Sequence, residues 1–464
     1  MRLDKSIIKP FAVLTVSLAL QNLLSYSVNL MDNVMLGAHS EMALSGAALC
    51  NQYQFLLQML VLGAGEGVVV LGSQYWGKGE IQPIYSIMGI AMRYTIIMSS
   101  IMSILAFFFP MQMLGVLTND AAVVAEGAKY LKIICFSYLL FAVTNTLTAS
   151  LRAVGNVKIG YYTAASTLCI NVFLNYALIY GKLGLPMLGI RGAAIATLVA
   201  RVVELLIVCL YVRYGERLLR LDYKKLLHID TSYYKDYRKV ALPVLLNQGQ
   251  WGIAQMVQTA ILGHMGAAAI AANSIATIVF QIISVLVYGS ASASSVLVGK
   301  TVGSGDMPKL RSMVRTLQWM YIIISLLTGG LIYLARTPVL MFYNISEEAR
   351  NLAWQFMTIL AITSMGTAYQ VPCDNGIIRG GGDTSFSMKM NLISMWLIVV
   401  PLSAFASFQK YPAIVVFFLL KWDQLYKIIP VKIRLNSWKW VRRVTRGDDA
   451  ALPQEAMQAQ AQQE

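Results

Sequence analysis

The chain has 464 residues, 57% of them hydrophobic and only 13% charged, with 37 Lys and Arg against 22 Asp and Glu for a net charge of +15. A soluble domain is about half apolar and about one quarter charged, so this composition excludes one and points to an integral membrane protein.

Apolar stretches of about 20 residues or more, enough to cross roughly 30 Å of hydrocarbon, fall near 11–37, 44–72, 84–109, 129–150, 160–181 and 190–212. A second set follows near 240–262, 269–298, 316–335, 353–377, 387–408 and 411–430. The expected fold is therefore all-α and integral to the membrane, with twelve helices, six in each half. The chain divides into a first lobe at 1–212, a basic linker at 213–239, a second lobe at 240–446 and a Gln/Ala-rich tail at 447–464. The linker reads as an amphipathic segment on the inner membrane surface, where basic residues meet anionic lipid. The tail is too poor in large apolar residues to fold alone and is expected to be disordered.

Lys and Arg fix the orientation, because positively charged loops stay in the cytoplasm. With both termini inside, the inner segments collect 28 of the 37 basic residues, among them eight from Arg213 to Lys239 and eight from Lys421 to Arg446. The outer loops hold seven, and only Arg93 and Arg201 remain within spans. The net positive charge is thus a topology signal and calls for no nucleic-acid partner. The first span reads as a retained helix, since no short apolar run with a cleavage site precedes it. Cys50, Cys135, Cys169, Cys209 and Cys373 lie in apolar spans without close pairing, which indicates neither a disulfide framework nor a zinc site.

The chain is written twice. Shifted by 226 or 227 positions, Gly37 falls on Gly263 and Ala43 on Ala269. Ser73-Gln74 with Gly77, Gly79 and Glu80 falls on Gly299-Lys300 with Gly303, Gly305 and Asp306, and Arg152, Gly155 and Asn156 fall on Arg379, Gly382 and Asp383. Six spans return the chain to the inner side, so the repeats are parallel, an organisation that transporters use around a central substrate site.

Two patterns mimic soluble or protease motifs. Gly72 to Lys78 fits the front of a phosphate-binding loop, but Gly79 stands where a Ser or Thr is needed and no strand precedes it. Gly380-Gly381-Gly382-Asp383 resembles an intramembrane aspartyl protease motif, yet the repeat places Asn156 at the aspartate, which argues for a structural turn.

Ionisable groups inside spans are costly in hydrocarbon and usually face a cavity, where they serve function. Asp32 is the strongest candidate: it lies in the first span near Asn22, Ser25, Ser27 and Asn29, and its counterpart in the second half is Gln258. Asn171 and Asn175 share one face of the fifth span. Two such amides bind a cation, hydrate a cavity or bond a neighbouring helix. Glu66, opposite Ser292, is a secondary candidate for gating or cation binding, or else reaches the interface. Glu204 reads as a helix-surface ion pair with Arg201, three residues away, and Asp374 as satisfied locally by Arg379. Tyr26, Tyr53, Tyr138, Tyr161, Tyr162, Trp251 and many Met residues suit flat organic cations, though packing accounts for most of them. No catalytic constellation, metal site or cofactor is expected.

Taken in order, Met31-Asp32-Asn33-Val34-Met35-Leu36-Gly37, Gly72-Ser73-Gln74-Tyr75-Trp76-Gly77, Asn171 to Asn175, and Ile378-Arg379-Gly380-Gly381-Gly382-Asp383-Thr384 resemble the multidrug and toxic compound extrusion (MATE) family along nearly the whole chain. The resemblance implies two six-helix lobes around a V-shaped cleft in the inner membrane, and export of organic cations in exchange for Na⁺ or H⁺. Asp32 would be the coupling residue, assisted by Asn171 and Asn175. Some relatives carry acidic residues in the seventh span; here it offers Gln248, Gln250, Gln255 and Gln258 instead. The expected partners are small organic substrates and the lipid bilayer, and the expected state is a monomer. A flippase for lipid-linked precursors is the alternative of related architecture, and would need a cleft with several basic residues.

Overall fold

The computed structural model describes residues 5–118, 120–216, 219, 230–341, 343 and 345–447. Most of the linker, at 217, 218 and 220–229, and the tail from 448 onward lie outside the described residues. The chain is all-helical, and the pairing outside helices among the described residues is one antiparallel bridge between Gly382 and Val441.

The first six passes are α1 (Lys5–His39), α2 (Glu41–Lys78), α3 (Gln82–Phe108), the pair α4 (Ala121–Ile134) and α5 (Phe136–Ala153), α6 (Lys158–Tyr180) and α7 (Ile190–Leu210). The second six are α8 (Tyr234–Gly263), the pair α9 (Ala267–Ile283) and α10 (Val285–Ser304), α11 (Met307–Met341), α12 (Glu347–Val371), α13 (Thr384–Phe408), and α14 (Ala413–Lys421) with α15 (Ile428–Asn436). Eight helices among the described residues are each long and apolar enough to cross a membrane, and nine if the α4–α5 pair, bent by 47°, is one span. The rest of the twelve-helix pattern is polar or interrupted. Helix α8 is diluted by Gln248, Gln250, Gln255 and Gln258, α12 by Gln355, Thr358, Thr363, Ser364 and Thr367, and the last pass is broken between α14 and α15.

The ends of these helices follow from their residues. Asp120 caps α4 by accepting from the backbone N–H groups of Ala122 and Val123 at 2.9 and 3.2 Å. Ser346 caps α12 by accepting from the N–H of Ala349. Gly79 and its repeat counterpart Gly305 adopt φ +84° and +75°, and Gly155 and Gly382 adopt +86° and +103°. A left-handed residue ends a helix at little steric cost only when it is glycine, which is why these letters survive in both repeats.

The helices group into two compact units, one of Leu20–Val68 with Ile81–Gly249 and the other of Met1–Ala19, Val69–Glu80 and Gln250–Glu464. Two short pieces of the first repeat are thus built into the body of the second. Lipid is as apolar as the side chains, so helices associate through close packing rather than hydrophobic transfer. In the first unit, α2 meets α4 where a Cβ on Gly46 would stand 2.8 Å from the Gly127 nitrogen, and Cys50 Sγ donates to the Gly127 carbonyl at 3.2 Å. Leu57, Val61, Leu131 and Ile134 fill the core beside that contact. In the second unit, the Phe356 and Phe417 rings stack at 4.0 Å within their own core.

Candidate functional site

Three helix faces in the first unit carry polar residues at helical spacing. Gln21, Ser25, Asn29 and Asp32 line α1; Thr167, Asn171 and Asn175 line α6; Thr197, Arg201 and Glu204 line α7. Helices α6 and α7 run close because Gly192 lies against the Leu178 carbonyl, 2.6 Å from where a Cβ would be.

At one end of these faces the side chains join. Asp32 is buried at 9% exposure and accepts from Asn175 Nδ2 at 2.5 Å. The same nitrogen donates to Asn171 Oδ1 at 3.1 Å, and Asn171 Nδ2 donates to Thr197 Oγ1 at 3.1 Å. The phenol of Tyr130 on α4 faces Asp32 and Thr197, and the guanidinium of Arg201 lies within electrostatic reach of Asp32. The structure therefore brings Asp32, Asn171 and Asn175 into one cluster, in which both amides bond neighbouring helices. The amide oxygen of Asn175 is buried with no hydrogen-bond partner among the described residues. A buried acceptor left without a donor costs about 1–3 kcal/mol. A carboxylate beside such an acceptor favours a proton donor or a small cation at that point.

The secondary candidates are held elsewhere. Glu66 is buried on α2 and accepts from Arg152 Nη2 of α5 at 2.6 Å, so its charge is matched inside the first unit. Gln258 belongs to the second unit. There Lys421 Nζ donates to its Oε1 at 2.9 Å and its own Nε2 donates to Met395 Sδ at 3.5 Å. Where the first repeat has a carboxylate, the second has an amide already bonded to an ammonium. Lys421 counted with the inner-loop charges by sequence, but it ends α14 and turns inward to this amide. Arg201 Nη1 and Glu204 Oε2 pair at 2.6 Å, three residues apart on α7, and both line a crevice.

Neither motif mimic forms a site. Gly72 to Lys78 is continuous helix, and Asp383 closes a turn in which Arg434 Nε donates to it at 2.9 Å and Arg442 Nη1 lies 3.2 Å away. In the first repeat the same place holds Asn156, which donates to Glu216 Oε2 at 2.5 Å. Asp374 accepts from Ser387 Oγ at 2.6 Å, with the Arg379 charge also acting on it. Among the described residues, no three His, Cys, Asp or Glu side chains gather as a metal site.

Thr197, Tyr130 and Thr167 in the first unit, and Lys421 beside Gln258 in the second, are not singled out by the sequence. A Thr on an apolar helix usually bonds its own backbone, and a buried Tyr is ordinary core, so neither type signals a site. The repeat alignment offered one clue, since Thr197 falls on Asp423 and Arg201 on Lys427, which pair at 2.6 Å in the second repeat.

The family model MatE matches twice, over residues 17–177 and 243–405. A probable multidrug resistance protein NorM of Thermotoga maritima is 25% identical over 82% of this chain and 82% of its own length. A probable multidrug resistance protein YoeA of Bacillus subtilis is 22% identical over 75% of this chain and 76% of its own. The crystal structure of the Vibrio cholerae MATE transporter VcmN in its bent form superposes with a TM-score of 0.83 at 18% identity, covering 95% of this chain and 98% of that one. With its family domain present in both halves, the chain belongs to the MatE family of multidrug and toxic compound extrusion transporters.

Proposed function

We propose that the protein is a secondary antiporter that exports amphipathic, often cationic, organic compounds in exchange for Na⁺ or H⁺ by alternating access. The observation that supports this most is the buried Asp32 carboxylate, held by the Asn175 amide beside an amide oxygen that lacks a donor among the described residues. Such a group has two states of nearly equal shape and different charge. A cation that neutralises it favours one conformation and the drug the other, and each shifts the conformational equilibrium through its differential affinity for the two states. Asn171 and Asn175 hold the carboxylate in place and offer oxygen ligands. The antiporter would reside in the cytoplasmic membrane as a monomer, with both termini inside, and needs no cofactor beyond its coupling ion.

Efflux assays in membrane vesicles test the reading, with a Na⁺ gradient and a pH gradient imposed separately. Drug movement driven by one of them is expected. Movement driven by neither, with the protein present in the membrane, would contradict the antiport reading.

A further inference from the structure

Below Asp32, toward the N-terminal half of α1, the three polar faces enclose a crevice of about 40 Å³, lined by Gln21, Ser25, Asn29, Thr167, Arg201 and Glu204 among others. That volume admits one water-sized occupant. Two features suit it to a ligand. The Thr167 hydroxyl, at 6% exposure, has no hydrogen-bond partner among the described residues. The Gln21 amide lies directly on Gly160, where any Cβ would collide with its oxygen, so the amide is seated against the bare backbone of α6.

The charges argue the same way. The ionisable groups facing this region are Asp32 of α1, Tyr130 of α4, and Arg201 and Glu204 of α7. With Tyr130 neutral, two carboxylates stand near one guanidinium, which pairs directly with Glu204 at 2.6 Å and lies over the Phe141 ring at 5.2 Å. One net negative charge remains in the low-dielectric interior, a costly state that one added monovalent cation relieves. If Glu204 were absent, Arg201 would be free to neutralise Asp32 by itself.

We propose that Arg201 is a counter-ion shared between Asp32 and Glu204, and that the Thr167–Gln21–Glu204 crevice is a second station for the coupling cation on its way to or from Asp32. Glu204 keeps Arg201 from neutralising Asp32 and so sets the affinity of Asp32 for a proton or Na⁺. The proposal rests on the antiport reading, and makes Glu204 and Arg201 positioning residues for it.

The test uses purified full-length protein, with two arms that separate the ions. Na⁺ binding is measured by titration with NaCl at fixed alkaline pH. Protonation of Asp32 is followed without Na⁺ through the infrared carboxyl band that Asp32→Asn removes. In whichever arm the wild type binds, Glu204→Gln is expected to weaken the cation about tenfold, because Arg201 then serves Asp32 alone. The double variant Arg201→Met with Glu204→Gln, which again leaves Asp32 as the one unmatched charge, is expected to recover wild-type affinity or exceed it. A simple structural ion pair predicts no such reversal. Unchanged affinity in Glu204→Gln, or a loss that the double variant does not recover, overturns the shared counter-ion. If instead the wild type binds neither ion, or Asp32→Asn leaves binding intact, the antiport reading itself fails.

Discussion

Gly77 of the first repeat and Gly303 of the second lock against each other's helices in the same way. A Cβ on Gly77 would collide with the Lys300 carbonyl, and a Cβ on Gly303 would collide with the Gln74 carbonyl. Residue 74 is the repeat counterpart of 300, and 77 of 303, so the contact is self-complementary about a local twofold, as in an isologous interface. Gly299 deepens it by admitting the Ser73 hydroxyl. Gly77→Ala or Gly303→Ala should each destabilise the protein by about 1–3 kcal/mol through overpacking against backbone. Gly263→Ala, at a position with nothing within 4 Å, should change it by less than about 0.5 kcal/mol. Melting curves in detergent check the ordering, and equal melting temperatures for all three would remove the contact's importance.

Gln74 fastens the C-terminal segment to this contact. Its Nε2 donates to the carbonyls of Arg442 at 3.2 Å and Gly380 at 3.5 Å, and its Oε1 accepts from the Val444 N–H at 3.0 Å. Gln74→Ala leaves those buried groups without their partner, at a cost of about 1–3 kcal/mol. Trypsin should then cut faster after Arg442, Arg443 or Arg446 than in the wild type. An unaltered cleavage rate would show that the segment is held by its other contacts, such as Tyr75 accepting from the Arg446 N–H at 3.1 Å.

Glu66 and Arg152 behave as a buried pair. Glu66→Gln leaves the guanidinium without its carboxylate and should cost about 3–5 kcal/mol, whereas Glu66→Gln with Arg152→Met should regain most of the loss. Membrane abundance and melting temperature are the readouts. A single variant as stable as the wild type would mean that other groups satisfy Arg152.

The parts of the molecule legible in the sequence are those where a residue type has no substitute. Gly79 and Gly305, or Gly155 and Gly382, adopt a positive φ that glycine meets at least cost, so they mark the duplication despite changed surroundings. Asp32, Asn171 and Asn175 stand out because amides and carboxylates are rare in apolar helices. What stayed hidden depends on which partner a side chain finds. The turn at Asn156 and Glu216 repeats as Asp383 and Arg442 with donor and acceptor exchanged, so a letter-by-letter comparison misses that both halves solve one problem. Lys421 sits in a basic run, and nothing in its neighbours indicates that it turns inward to Gln258. The docking of 69–80 into the second unit depends on Gly299 and Gly303 being far away in sequence.

The central claim is that Asp32 couples ion to drug, and Asp32→Asn tests it most directly, since the amide keeps the shape and hydrogen-bonding reach while removing the charge. In vesicles carrying equal amounts of wild-type and variant protein, the account predicts that Asp32→Asn loses drug export under both a Na⁺ and a proton gradient, while equilibrium drug binding by the purified variant persists. Export at the wild-type rate under either gradient would contradict it, and the coupling site would have to be sought elsewhere in the chain.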